Sequence, residues 1–132
     1  MADIDPEVGW KAVSKTGAVT AGGSRAVEAG IDILERGGNA ADSAAATILA
    51  LQVTDHGPCC IGGEVPVLIY DSNRQEVKSL SGMGRAPRSQ QAIDWYMANG
   101  IPGAPDIKIA PVPSVVDLVT TLLQLYGTRS FE

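Results

Sequence analysis

The stretch Gly37-Gly38-Asn39-Ala40-Ala41-Asp42-Ser43-Ala44-Ala45-Ala46-Thr47-Ile48-Leu49-Ala50-Leu51-Gln52-Val53 joins a helix stop, a helix start and an almost wholly apolar helix. Gly37 and Gly38 tolerate the left-handed backbone that closes a helix. Asn39 is a good N-cap, and Asp42, three residues on, can reach back as in a capping box. The Ala-rich run that follows can be approached closely from every side, so the second helix, expected over 40–54, belongs inside a protein. A chain of 132 residues has little interior in which to put it.

Working outward, residues 17–21 read as a short strand entering Gly22-Gly23, with Ser24 capping a first helix over 25–36. Val27, Ile31 and Leu34 give that helix its apolar stripe. Downstream, 55–64 is rich in turn formers, and 65–70 is nearly continuous in apolar residues, as in a strand buried on both faces. Residues 71–75 make a turn, and 76–80 alternate as its hairpin partner. A third helix is expected over 89–98. The Pro- and Gly-rich 99–113 reads as an ordered loop, and Ser114 caps a last helix closed by Gly127. The order strand, two helices, hairpin, helix, helix is an α+β pattern in which the hairpin needs other strands beside it. Residues 1–16 form a loose lead-in and 17–132 the folded unit.

The composition narrows function. A net charge of -5 with scattered Lys and Arg does not fit a nucleic-acid partner. No apolar run approaches the roughly 20 residues that span a bilayer, so no membrane role is expected. The acidic start Met-Ala-Asp-Ile-Asp-Pro-Glu lacks the pattern of a signal peptide, and the chain as given reads as cytoplasmic. The two cysteines, Cys59 and Cys60, are adjacent and cannot staple distant segments. With His56 they fall short of the four ligands of a structural zinc site, so no metal is expected. Val19-Thr-Ala-Gly-Gly-Ser24 matches neither G-x-G-x-x-G nor a P-loop and reads as a tight turn.

Two places carry candidate chemistry. Gly62-Gly63, just before the apolar strand, suggest backbone passing close to another segment or a ligand. Arg85, in Gly82-Met83-Gly84-Arg85-Ala86-Pro87, stands in a turn at the end of a strand. There a guanidinium could hold a carboxylate in a bidentate pair, or simply be solvated.

Taken together, residues 26–44 (A-V-E-A-G-I-D-I-L-E-R-G-G-N-A-A-D-S-A), Ile61-Gly62-Gly63, Val67-Leu-Ile-Tyr-Asp71, Gly84-Arg85-Ala86-Pro87, and Pro113-Ser-Val-Val-Asp117 with Tyr126-Gly127 resemble the γ-glutamyltransferase family of N-terminal nucleophile hydrolases. The resemblance implies a four-layer αββα sandwich and cleavage into a large and a small subunit. It also implies an N-terminal Thr whose own amine activates its hydroxyl for acyl transfer. That Thr would lie beyond residue 132, so the chain corresponds to the start of the large subunit and holds no catalytic residue of its own. The expected partners are the rest of the large subunit, the small subunit and a small amide or γ-glutamyl substrate. No cofactor is implied, since the nucleophile and its amine suffice.

Two departures bear on substrate. Family members acting on γ-glutamyl groups carry an Arg at the position of Met83, where it holds the donor's α-carboxylate. Arg85 instead matches γ-glutamyltransferase-like and acylase-type relatives with G-x-G-R-A-P. Glu64 stands where many relatives have Gly. Arg85 is therefore the expected substrate anchor, and Gly62 and Gly63 the close-approach element. The opposing reading is a non-catalytic module or partner subunit of the same fold. In either case, a hairpin beneath an apolar helix should leave surfaces that pair with other polypeptide.

Overall fold

The computed structural model describes residues 13–131 apart from residues 56 and 58; most of the expected lead-in, and His56, lie outside the described residues. The elements are α1 (Ser24–Glu35), α2 (Ala40–Thr54), β1 (Pro66–Asp71), β2 (Glu76–Ser81), α3 (Gln90–Asn99), a 3₁₀ turn (Ile107–Ile109) and α4 (Val115–Tyr126). The class is α+β.

The junction of α1 and α2 forms as its residues dictate. Gly37 has φ +82°, its amide donates to Leu34 O, and the amide of Gly38 donates to Ile33 O. Those two bonds are a Schellman motif, with the left-handed residue at Gly37. Gly38 is needed for space instead, since a Cβ there would lie 2.9 Å from Ile33 O. Asn39 then caps α2 by accepting from the amides of Ala41 and Asp42, while Asp42 accepts from the amide of Asn39 at 2.8 Å. The capping box is complete.

Helices α1 and α2 cross closely at Gly30, where the Ser43 hydroxyl donates to Gly30 O at 2.9 Å. Helix α2 also packs on α4, and Ala41, Ala45, Val119 and Leu122 form the buried core between them. Val67, Ile69 and Leu80 of the hairpin close this core from below.

The hairpin is antiparallel, with Tyr70 opposite Val77 and Leu68 opposite Ser79. Asp71 accepts from the amides of Asn73 and Arg74, and Gln75 takes up φ +54° to complete the turn. Strand β1 is not buried on both faces as its apolar run suggests. Leu68 and Tyr70 are exposed, as is Val77 across from them, so only the face bearing Val67 and Ile69 is covered. Period-2 alternation puts neighbours on opposite faces, and within the described residues only one face has a helix against it.

Residues 17–21 are not a strand; the described residues contain a sheet of two strands, β1 and β2. A strand exists only with a hydrogen-bonded neighbour, and here the segment lies along α1 and α2 instead. Ser24 is not the cap of α1: Gly23 holds that position, without a side-chain bond. Ser89 caps α3 by accepting from Ala92 N, whereas Ser114, at the cap of α4, makes no cap bond and donates to Val112 O.

Candidate functional site

Arg85 is placed by a loop pinned at both ends. At the end of β2, Gly82 donates to Val65 O and lies against Leu118 of α4, where a Cβ would come within 2.5 Å of Leu118 Cδ2. Gly84 faces Pro111 and Val112 too closely for any side chain. Between them Met83 is half exposed, and Arg85 O accepts from Val112 N at 3.3 Å. The peptide of Arg85 is thus held to the segment entering α4, while its side chain is exposed and its guanidinium has no partner among the described residues. An Arg so placed can take a carboxylate in two parallel bonds. Met83, two residues away, offers a carboxylate nothing.

On either side of Arg85, Gly84 and Ala86 line a cavity of about 440 Å³. Its walls are mostly apolar, with Pro87, Ile93, Met97 and Ile109, and its acidic and basic members are Glu64 and Lys108. Lys108 is restrained: its Nζ sits 4.8 Å over the Trp95 ring and 3.6 Å from Asp106. Tyr96 fixes the same wall by donating its hydroxyl to Lys108 O at 2.5 Å.

The glycine pair divides. A Cβ on Gly63 would lie 2.9 Å from Cys60 O, and the Gly63 amide donates to that oxygen at 2.8 Å. Around Gly62 no described atom beyond its own chain neighbours lies within 4 Å of that position. Glu64, the next residue, brings this loop to the cavity beside Arg85. No group of three or more His, Cys, Asp or Glu among the described residues could hold a metal. No helix there is long and apolar enough to cross a membrane.

A second constellation escaped the sequence. Asp42, almost fully buried, accepts from the Thr128 hydroxyl at 2.6 Å, from the amides of Thr128 and Arg129, and from the amide of Asn39. Burial pushes its carboxyl up. The Thr128 hydroxyl and the three amides outweigh that and hold it below its ordinary range. The Asn39 side chain donates to Tyr126 O at 2.6 Å, and the Arg129 guanidinium donates to Arg36 O. A carboxylate with so many donors is a poor base, so Asp42 and Thr128 form a staple and not a nucleophile with its base. Local sequence gave no signal for it, because Thr128 lies 86 residues from Asp42.

The described elements form an α+β segment in which a glycine-flanked Arg loop lies beside a cleft. Comparison with known proteins gives the family. Residues 26–132 match the family model for gamma-glutamyltranspeptidase. The glutathione hydrolase proenzyme of Bacillus subtilis subsp. natto is 31% identical over 125 residues, covering 91% of this chain and 21% of that protein. Among solved structures, the gamma-glutamyltranspeptidase of Pseudomonas nitroreducens complexed with L-DON superposes with a TM-score of 0.71 at 26% identity, over 89% of this chain and 36% of that one. Cephalosporin acylase from Bacillus halodurans gives 0.67 at 31% identity, over 80% and 20%. The chain belongs to the gamma-glutamyltranspeptidase family, and spans about a fifth of the length of the curated relatives it matches.

Proposed function

We propose that the complete protein carrying this chain is a γ-glutamyltransferase-like amidohydrolase or acyltransferase. The match of the family model to residues 26–132 carries this reading. In it, the hydroxyl of an N-terminal Thr, supplied by sequence outside these 132 residues, attacks an amide carbonyl while its own amine takes the proton. The C–N bond breaks, the amine leaves protonated, and an acyl-Thr ester remains for water or an acceptor amine. This chain supplies part of the large subunit in an αββα sandwich. The open face at Leu68, Tyr70 and Val77 supports that layering, because it is an apolar surface of the kind a second sheet covers. No cofactor takes part, and the cytoplasm is the proposed location.

Arg85 anchors a carboxylate of the substrate, and Gly62-Gly63 let backbone pass close to it. Met83 in place of the family's Arg turns specificity away from glutathione and toward amides of the acylase-type relatives. The test uses the complete protein. Product release is followed from a γ-glutamyl anilide and from simple amides of small carboxylic acids, with faster release expected from the latter. Absence of turnover on any amide would support the non-catalytic module. Efficient γ-glutamyl turnover that survives loss of Arg85 would remove the proposed anchor.

A further inference from the structure

We infer that Cys59 and Cys60 form a modification site, a vicinal dithiol that peroxides close into a disulfide, loosening the loop that carries Gly62, Gly63 and Glu64. Both thiols are free; Cys60 is exposed and Cys59 half-buried. The pair is clamped between two backbone bonds. The Cys59 amide donates to Asp55 O at the C-cap of α2 (3.0 Å), and Cys60 O accepts from the Gly63 amide at 2.8 Å. The Cys60 Sγ lies 3.4 Å from where a Cβ on Gly63 would be, so glycine leaves the thiol its room.

The chemistry needs no other protein group. One thiolate takes an oxygen from the peroxide, giving a sulfenic acid as the O–O bond breaks and a first water forms. The neighbouring thiol then attacks that sulfur, the S–O bond breaks, and a second water leaves. The two thiols lose two protons and two electrons, and the peroxide is reduced to water. Adjacent residues hold their Cα atoms about 3.8 Å apart across a trans peptide, short of the roughly 4.4–6.8 Å that a relaxed disulfide spans. Closing the ring therefore distorts the Cys59–Cys60 peptide and turns the Cys60 carbonyl from Gly63. Strain of this kind leaves the bond easily reduced, as in a reversible switch. Its mechanical output is Glu64, which lines the cavity beside Arg85.

The test is made on the complete protein carrying this chain, treated with hydrogen peroxide. Expected are the loss of two hydrogens from the peptide holding both cysteines, full reversal by dithiothreitol, and several-fold faster hydrogen exchange at the Gly63 amide. Amides of α2 and α4 should keep their protection, which separates loop release from unfolding. Cys60→Ser should instead stop at a sulfenic acid on Cys59 that dimedone traps. Oxidation only to sulfinic acid, oxidation only into chain-to-chain dimers, or ring closure that leaves Gly63 exchange unchanged would each overturn the inference.

Discussion

Thr128 gives both its hydroxyl and its backbone amide to Asp42, at 2.6 and 2.9 Å, so the segment after α4 completes the cap at the start of α2. Asn39, the other half of the capping box, donates its side-chain amide to Tyr126 O. The same short motif thus starts a helix and ties down the far end of the chain.

Replacing Asp42 with Ala removes the capping box and leaves the donors of Thr128, Arg129 and Asn39 without an acceptor. Buried donors left unpaired and a lost cap together should cost about 3 kcal/mol or more. Asp42→Asn keeps an acceptor oxygen and should cost less. Urea unfolding of both variants beside the parent chain measures the order.

Asp42 also predicts an acid dependence with a definite sign. Its carboxyl titrates below the ordinary value of 3.8 in the folded chain, although burial alone would raise it. A depressed folded value means the stabilisation is fully present above the unfolded value and is lost as pH falls through the folded one. Between about pH 6 and about pH 2.5 the parent chain should lose more stability than Asp42→Asn, so their urea midpoints converge. Parallel decline of the two would show that Asp42 does not carry the effect.

Gly30→Ala reverses the usual helix preference. In an exposed helix the change gains up to about 1 kcal/mol. Here a Cβ would collide with the Thr47 hydroxyl and come within 3.0 Å of Ser43 Oγ and of Val19 Cγ1. Overpacking at the α1–α2 crossing should lower stability by about 1–3 kcal/mol, read as a lower melting temperature.

In the complete protein Arg85→Ala should raise KM for carboxylate-bearing amides with kcat little changed, giving a roughly 10- to 100-fold loss in kcat/KM. Arg85→Lys should recover only part, because an ammonium cannot form the paired bonds of a guanidinium. Amides without the carboxylate should show neither effect.

What the sequence disclosed was local. The glycine stop, the Asn39–Asp42 box, the hairpin and α3 follow from spacings of a few residues, and all are present. Residues 17–21 have strand composition without a neighbour to pair with, and composition cannot supply one. The apolar run of β1 reads as buried on both faces, yet Leu68 and Tyr70 are exposed, because burial depends on what packs against a face and not on the run itself. The union of Asp42 with Thr128 depends on where α4 ends in space, which no short-range pattern encodes. For Arg85 the turn was legible, whereas its tether to Val112 and the cavity beside it arise from loops that meet only after folding.

Rapid mixing of the complete protein with an excess of amide donor, acid quenching and mass measurement of the Thr-led subunit tests the acyl-transfer reading. The expected result is a gain equal to the acyl group, localised to the N-terminal Thr and absent when that Thr is replaced by Ala. Steady amide cleavage with no covalent adduct, undiminished by that replacement, would refute it.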